Sequence, residues 1–119
     1  FLYNYAAELN VARFYKESLD IAMKCRHLWS DYDLEMLIAQ NCWEINRMVE
    51  AEEHFRLASD MCPNRFMPLY RLVWLLDRQG RQTEARELAT IIISKPVKIP
   101  SVIIERIKSE MENYLTLKI

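Results

Sequence analysis

The side chains with the widest chemical reach in this sequence are three cysteines, two histidines and a short run of carboxylates. Cys25, Cys42 and Cys62 lie 17 and 20 residues apart, and the only histidines are His27 and His54. A structural zinc site needs four ligands, usually paired two to four residues apart on one turn. That spacing is missing, so no metal is expected. An odd cysteine count gives no disulfide framework, and three free thiols read as small core residues in a reducing compartment. Glu50, Glu52 and Glu53 with His54 could be drawn as an acid/base cluster. Helical spacing, however, turns them to the outward side of their helix, where charges are normally solvated. No serine sits on a strained nucleophile turn. Gly80 is the only glycine, whereas phosphate-cradling loops and dinucleotide fingerprints need two or three. No catalytic residue and no cofactor are therefore expected, and the fragment reads as a non-enzyme. A small helical enzyme working through Glu53 and His54 is the less favoured reading.

Binding chemistry is better represented. Met36, Gln40 and Trp43 share one helical face at i, i+4 and i+7, and Met67, Tyr70, Arg71 and Trp74 do likewise. Tryptophan, tyrosine and arginine dominate the energetics of protein interfaces. The alternative for Trp43 and Trp74 is simple burial as core.

These residues need a scaffold, and composition limits the choice. At 119 residues the chain has the length of one domain and is expected to fold as a single unit over 1–119 without a staple. So few turn residues disfavour an all-β fold and leave helices joined by short loops. Sixteen basic and 17 acidic residues nearly cancel, giving −1. A near-neutral chain lacks the positive field of a non-specific nucleic-acid binder, and no nucleic-acid partner is expected. No apolar run approaches the ~18 residues of a membrane span, and FLYNYAAELN is not a signal peptide. The absence of an initial Met suggests an excised or processed piece. The Lys95–Lys98 pair alone is too small for a membrane-surface patch.

Internal periodicity gives the organisation. At an offset of 34, Arg47, Glu50, Ala51 and Glu53 recur as Arg81, Glu84, Ala85 and Glu87. Asn46 falls on Gly80, the two residue types that best tolerate a left-handed helix end. At offset 33, Ala6 precedes Ala39, Glu17 precedes Glu50 and Ser18 precedes Ala51. Apolar spacing predicts helix pairs over 1–11 and 15–28, 33–45 and 49–61, and 66–78 and 82–94. Ser30 or Asp31 is expected to cap the third helix, and Asn64 the fifth, with Pro68 in its first turn. After KPVKIP, Ser101 caps a last helix over about 101–116. It carries Ile103, Ile104, Ile107, Met111 and Leu115 on one side. Solenoids need such a helix to cover their last repeat.

A 34-residue helix pair with these small residues resembles the tetratricopeptide repeat (TPR). Ala39, Ala51, Phe55, Ala58 and Pro63 fall on the family's small, aromatic and proline positions. Leu69, Leu72, Gly80 and Ala85 match in the third copy, where Ala89 replaces the aromatic and Ile92 the small residue. Ala6, Tyr15, Ser18 and Ala22 remain of the first. The resemblance implies an all-α, right-handed α-solenoid of about three TPR-like pairs (about 1–31, 32–65 and 66–97) plus the capping helix. Its first helices would line a concave groove through Tyr3, Asn4, Ala7 and Asn10, then Asp33, Met36, Gln40 and Trp43, then Met67, Tyr70, Arg71, Trp74 and Asp77. A protein or peptide is the implied ligand. Trp29 is expected between repeats. The carboxylate-clamp positions of some such proteins fall on Tyr3, Ala7, Leu37, Met67 and Arg71. Only Arg71 is basic, which disfavours a chaperone-tail clamp.

A narrower resemblance rests on PNRFMPLY (63–70), the Gly80…Glu84-Ala85 turn, KPVKIPS (95–101) and IKSEM (107–111). These segments resemble the C-terminal repeat tail of bacterial O-antigen ligase/polymerase-like membrane proteins. The resemblance implies a soluble domain tethered to the inner membrane through a parent chain that performs glycan transfer, and a role in lipopolysaccharide or polysaccharide biosynthesis. A free-standing adaptor of the same fold, unrelated to glycan assembly, is the alternative. Leu2, Tyr5 and Leu9 are expected to form an uncovered apolar end that permits self-association.

Overall fold

The turn inside each helix pair is built the same way three times. Arg13, Asn46 and Gly80 are the residues with left-handed backbone, at φ 69°, 64° and 77°. Each of these N–H groups donates to the carbonyl three residues back: Asn10 at 2.9 Å, Trp43 at 3.1 Å and Asp77 at 3.0 Å. The next N–H donates five residues back, Phe14 to Leu9 at 2.8 Å, Arg47 to Cys42 at 2.7 Å and Arg81 to Leu76 at 2.9 Å. This paired pattern is the Schellman closure, which satisfies the orphan carbonyls of a helix end. Phe14, Arg47 and Arg81 are then already the N-caps of the following helices. One left-handed residue thus reverses the chain with almost no loop.

The computed structural model describes residues 1–117, which hold seven α-helices and no strand. They are α1 (Leu2–Val11), α2 (Tyr15–Leu28), α3 (Tyr32–Glu44), α4 (Met48–Met61), α5 (Met67–Arg78), α6 (Gln82–Ser94) and α7 (Val102–Leu117). The all-α expectation holds, and the helix bounds follow the apolar spacing closely. Two compact units are present, one spanning Phe1–Cys62 and one beginning at Pro63.

In the first unit α1 packs on α2, α3 on α4, and α3 also against α2 and α1. Polar side chains join three of these helices. Ser18 Oγ donates to the Ala6 carbonyl at 2.6 Å, Asn41 Nδ2 donates to Ser18 Oγ at 2.8 Å, and Asn10 Nδ2 donates to Asn41 Oδ1 at 2.9 Å. Ser18 and Asn41 are fully buried, so this relay removes a desolvation cost that either would otherwise carry. Asp31 caps α3 by accepting from the Leu34 N–H at 2.9 Å. Trp29 departs from expectation. The residue is 42 % exposed and its indole N–H donates to Asp31 Oδ2 at 3.0 Å, so it supports the cap instead of filling a gap between helices.

In the second unit α5 packs on α6 and α6 on α7. Pro68 lies in the first turn of α5, where its missing N–H costs nothing, and it is buried there. The N-cap of α5 is Phe66, without a side-chain bond, and not the expected Asn64. Ser101 caps α7 as expected, accepting from the Ile103 and Ile104 N–H groups. The buried face of α7 is Ile107, Met111 and Tyr114. Ile103, expected inward, is exposed.

The repeated turn yields a direct test. Arginine has a Cβ that crowds the left-handed conformation, at roughly 1 kcal/mol, while its side chain is exposed. Arg13→Gly is expected to stabilise the first unit by about 0.5–1 kcal/mol, read as a rise of a few degrees in the thermal midpoint. Gly80→Ala should lower stability by a similar amount. A Cβ at Gly80 meets no atom within 4 Å, so the loss there is purely backbone strain.

Candidate functional site

Two faces carry the residues expected to bind, one in each unit. In the first unit α3 presents them at helical spacing. Gln40 and Trp43 are half-buried, and Asp33 is exposed. Trp43 meets Phe55 edge-on, with centroids 6.4 Å apart and planes at 77°. One side of the indole is thereby held by the core. Met36 is only 7 % exposed and packs inside, so it offers little surface to a ligand. On α1, Asn4 is exposed, Ala7 is half-buried, and Asn10 is committed to Asn41. Burial pushes the Tyr3 phenol up, and the nearby Asp33 and Asp31 carboxylates add to the shift.

In the second unit α5 carries Met67, Tyr70, Trp74 and Asp77 half-buried and Arg71 exposed. Helix α7 reaches this face. Tyr70 OH donates to Glu110 Oε2 at 2.6 Å, and Tyr114 OH donates to Asp77 Oδ1 at 3.0 Å. Trp74 stands nearly perpendicular to both tyrosines, at centroid distances of 6.3 Å from Tyr70 and 5.3 Å from Tyr114. Burial and the Asp77 carboxylate push the Tyr114 phenol up to about 12. Burial and Glu110 also raise Tyr70. Both phenols therefore stay protonated and act as fixed donors. Trp74 is packed against two rings yet only half-buried, with Arg71 one turn away.

Tyr114 and Glu110 escaped the sequence reading. The signal for Tyr114 was the i, i+4, i+7 series 107, 111, 114, which a reading that favours aliphatics closes on Leu115; Glu110 had none. Of the clamp positions, Leu37 is buried and only Arg71 offers a positive charge.

The carboxylates near His54 do not form the imagined acid/base cluster. Glu50 and Glu53 are exposed, and Glu52 pairs with Arg56 at 3.0 Å along the helix. His54 is the correction: it is buried and faces inward, with Nδ1 2.6 Å from Glu35 Oε1. Since a carboxylate only accepts, the imidazole carries its proton on Nδ1. Glu35 Oε2 also accepts from Arg26 Nε at 2.9 Å and from Ser30 Oγ at 2.5 Å. Burial pushes this carboxyl up, but the hydrogen bonds from Ser30, His54 and Arg26 outweigh it and hold Glu35 below the ordinary carboxylate range. The cluster ties the end of α2 and the 29–31 loop to α3 and α4.

Cys25 and Cys42 are buried as expected, whereas Cys62 is half-exposed. Burial and Glu50 push the Cys42 thiol up to about 11, which keeps it protonated and unreactive at neutral pH. Among the described residues, no three His, Cys, Asp or Glu side chains are grouped to hold a metal. No described helix is long and apolar enough to cross a membrane. At the start of α1, Phe1 and Tyr5 are exposed beside Leu2, Asn4 and Glu8, lining a shallow recess. No protein-family model matches the sequence, and no characterised protein matches it either.

Proposed function

We propose that this chain is a non-catalytic interaction module, a short TPR-like right-handed α-solenoid that binds a protein or peptide segment. The observation that carries the reading is the thrice-repeated Schellman turn at Arg13, Asn46 and Gly80, with spacings of 33 and 34 residues. Identical turns at one period are what a helical-repeat scaffold requires. Burial at equivalent positions gives further support. Ser18, Ala51 and Ala85 are fully buried, as are Ala22, Phe55 and Ala89, and again Cys25, Ala58 and Ile92. Helix α7 then serves as the cap of the last pair.

The ligand-binding faces are those of α3 and α5, through Gln40, Trp43, Met67, Tyr70, Arg71 and Trp74. Selection of a displayed peptide library on the 119-residue chain tests this. Peptides should bind in the micromolar range, roughly −8 kcal/mol. Arg71→Glu should weaken them about tenfold while the helical circular dichroism is unchanged. A library that yields no binder, or binders indifferent to Arg71→Glu and Gln40→Arg alike, would remove the reading.

The narrower resemblance supports a parent: the domain is the soluble tail of an O-antigen ligase/polymerase-like membrane protein of glycan assembly. Reading the coding frame upstream of Phe1 tests that separately. Several apolar spans of about 20 residues are expected. A frame encoding only further 34-residue repeats would leave a free-standing adaptor.

A further inference from the structure

The period that relates the first two turns also relates the faces of α1 and α3. Ala6 and Ala39 stand one period apart, and both are fully buried. Their neighbours are treated differently. Leu34, Glu35, Ile38 and Asn41 on α3 are each 0 % exposed. One period earlier on α1 stand Phe1, Leu2, Tyr5 and Glu8, and these four, with Asn4, line the shallow recess. Phe1 is 102 % exposed and Tyr5 52 %, and Glu8 is exposed as well.

The structure shows what covers this face one period later. Helix α2 packs against α3, and two bonded pairs of side chains fix its course. Asn41 donates to Ser18 at 2.8 Å, and Arg26 donates to Glu35 at 2.9 Å. The number rises on α2 as it falls on α3, so the two helices run antiparallel. Midway between the pairs, Ala22 falls opposite Ile38, and both are fully buried. The buried residues of α2 at i, i+4 and i+7 are all small: Ser18, Ala22 and Cys25. Small residues there let the two helix axes approach closely.

We propose that Phe1, Leu2, Tyr5 and Glu8 form a docking site for an amphipathic helix of the α2 kind, supplied by a partner and antiparallel to α1. Moving α2 back by one period defines the chemistry of that helix. A small residue lies over Tyr5, as Ala22 lies over Ile38. A cationic donor near the helix start meets the Glu8 carboxylate, at the place where Ser18 meets Asn41. An aliphatic residue near its end meets Leu2, where Arg26 meets Glu35. A second copy of the chain has no free α6 to offer. Helix α6 is the counterpart of α2 in the second unit, and α7 packs on it with Ile107, Met111 and Tyr114 buried. The inference rests on the period running from α1 to α3 and not on the ligand faces of α3 and α5. Either reading can fail alone.

A fluorescein-labelled, stapled peptide of residues 15–28 is the probe, carrying Ser18→Lys, Cys25→Ala and Arg26→Leu. The staple is needed because so short a helix is marginal in water. Fluorescence anisotropy with the whole chain should show saturable binding, with a Kd of about 100 μM or tighter. Tyr5→Arg should weaken binding about tenfold. Glu8→Lys should weaken it too, and the same peptide carrying Ser18→Glu should restore it. Tyr5 and Glu8 are exposed, so both variants should keep the parent's circular dichroism. Lack of saturation at about 1 mM, or unchanged binding to Tyr5→Arg, would overturn the proposal. So would peptide binding that Gln40→Arg or Arg71→Glu removes, which would assign it to the α3 or α5 face. A concentration-dependent dimer that Tyr5→Arg dissolves would overturn it as well, by assigning the recess to a second copy of the chain.

Discussion

Replacing Glu35 by alanine is expected to destabilise the first unit by about 3 kcal/mol, a large share of what a domain this small possesses. The carboxylate is fully buried and receives three donors, from Arg26, Ser30 and His54. Its removal leaves the His54 N–H buried without an acceptor and releases the Arg26 and Ser30 side chains from α3. Arg26 keeps access to water, which places the loss at the lower end of the range for a broken buried pair. Glu35→Gln keeps the shape but turns an amide donor toward other donors, so it should lie between alanine and the parent. The pH dependence carries a definite sign. The folded carboxyl lies below its unfolded value of roughly 4.3. Its contribution is therefore complete above that value and is lost as pH falls through the lower folded one. Urea titrations from pH 7 to pH 3 should show an acid limb that flattens in Glu35→Gln. A loss under about 1 kcal/mol for alanine, with an unchanged acid limb, would mean the cluster is incidental.

How this site escaped the sequence shows where pattern reading stops. Helix extents were legible because each apolar stripe has a period that burial enforces, and Asn46 and Gly80 were legible because their types signal left-handed backbone. Arg13 carries no such signal. Its conformation is imposed by the same reversal of chain direction and appears only as the third member of a period. Glu35 and His54 are 19 residues apart on different helices, and charge normally means exposure. Nothing local distinguishes a carboxylate that three donors will surround. The same limit applied to the candidate binding faces. Spacing placed Met36, Trp43 and Trp74 on the right helices. It could not say that Met36 turns inward, that Phe55 holds one side of Trp43, or that Tyr114 and Glu110 of α7 would pack against α5. Those are contacts between elements, fixed by tertiary geometry.

The largest single loss should come from Phe55→Ala, about 3–5 kcal/mol in the first unit by urea denaturation. Phe55 is fully buried on α4 and receives the edge of Trp43, so truncation removes core area and the aromatic contact together. The repeat supplies a rescue. Positions 55 and 58 hold Phe and Ala, whereas their equivalents 89 and 92 hold Ala and Ile, and all four are fully buried. Large and small have exchanged places across one turn, where side chains at i and i+3 fill adjoining space. Most of the volume is kept but its position shifts, isoleucine being somewhat smaller than phenylalanine. Ala58→Ile alone should overpack and cost about 1–3 kcal/mol. Combined with Phe55→Ala, the isoleucine can occupy the vacated space, as its counterpart does beside Ala89. The double variant should therefore be more stable than the two losses added together, by at least 1 kcal/mol of coupling. Strict additivity would show that the two repeats pack by unrelated rules, and the volume exchange between them would then have no energetic content.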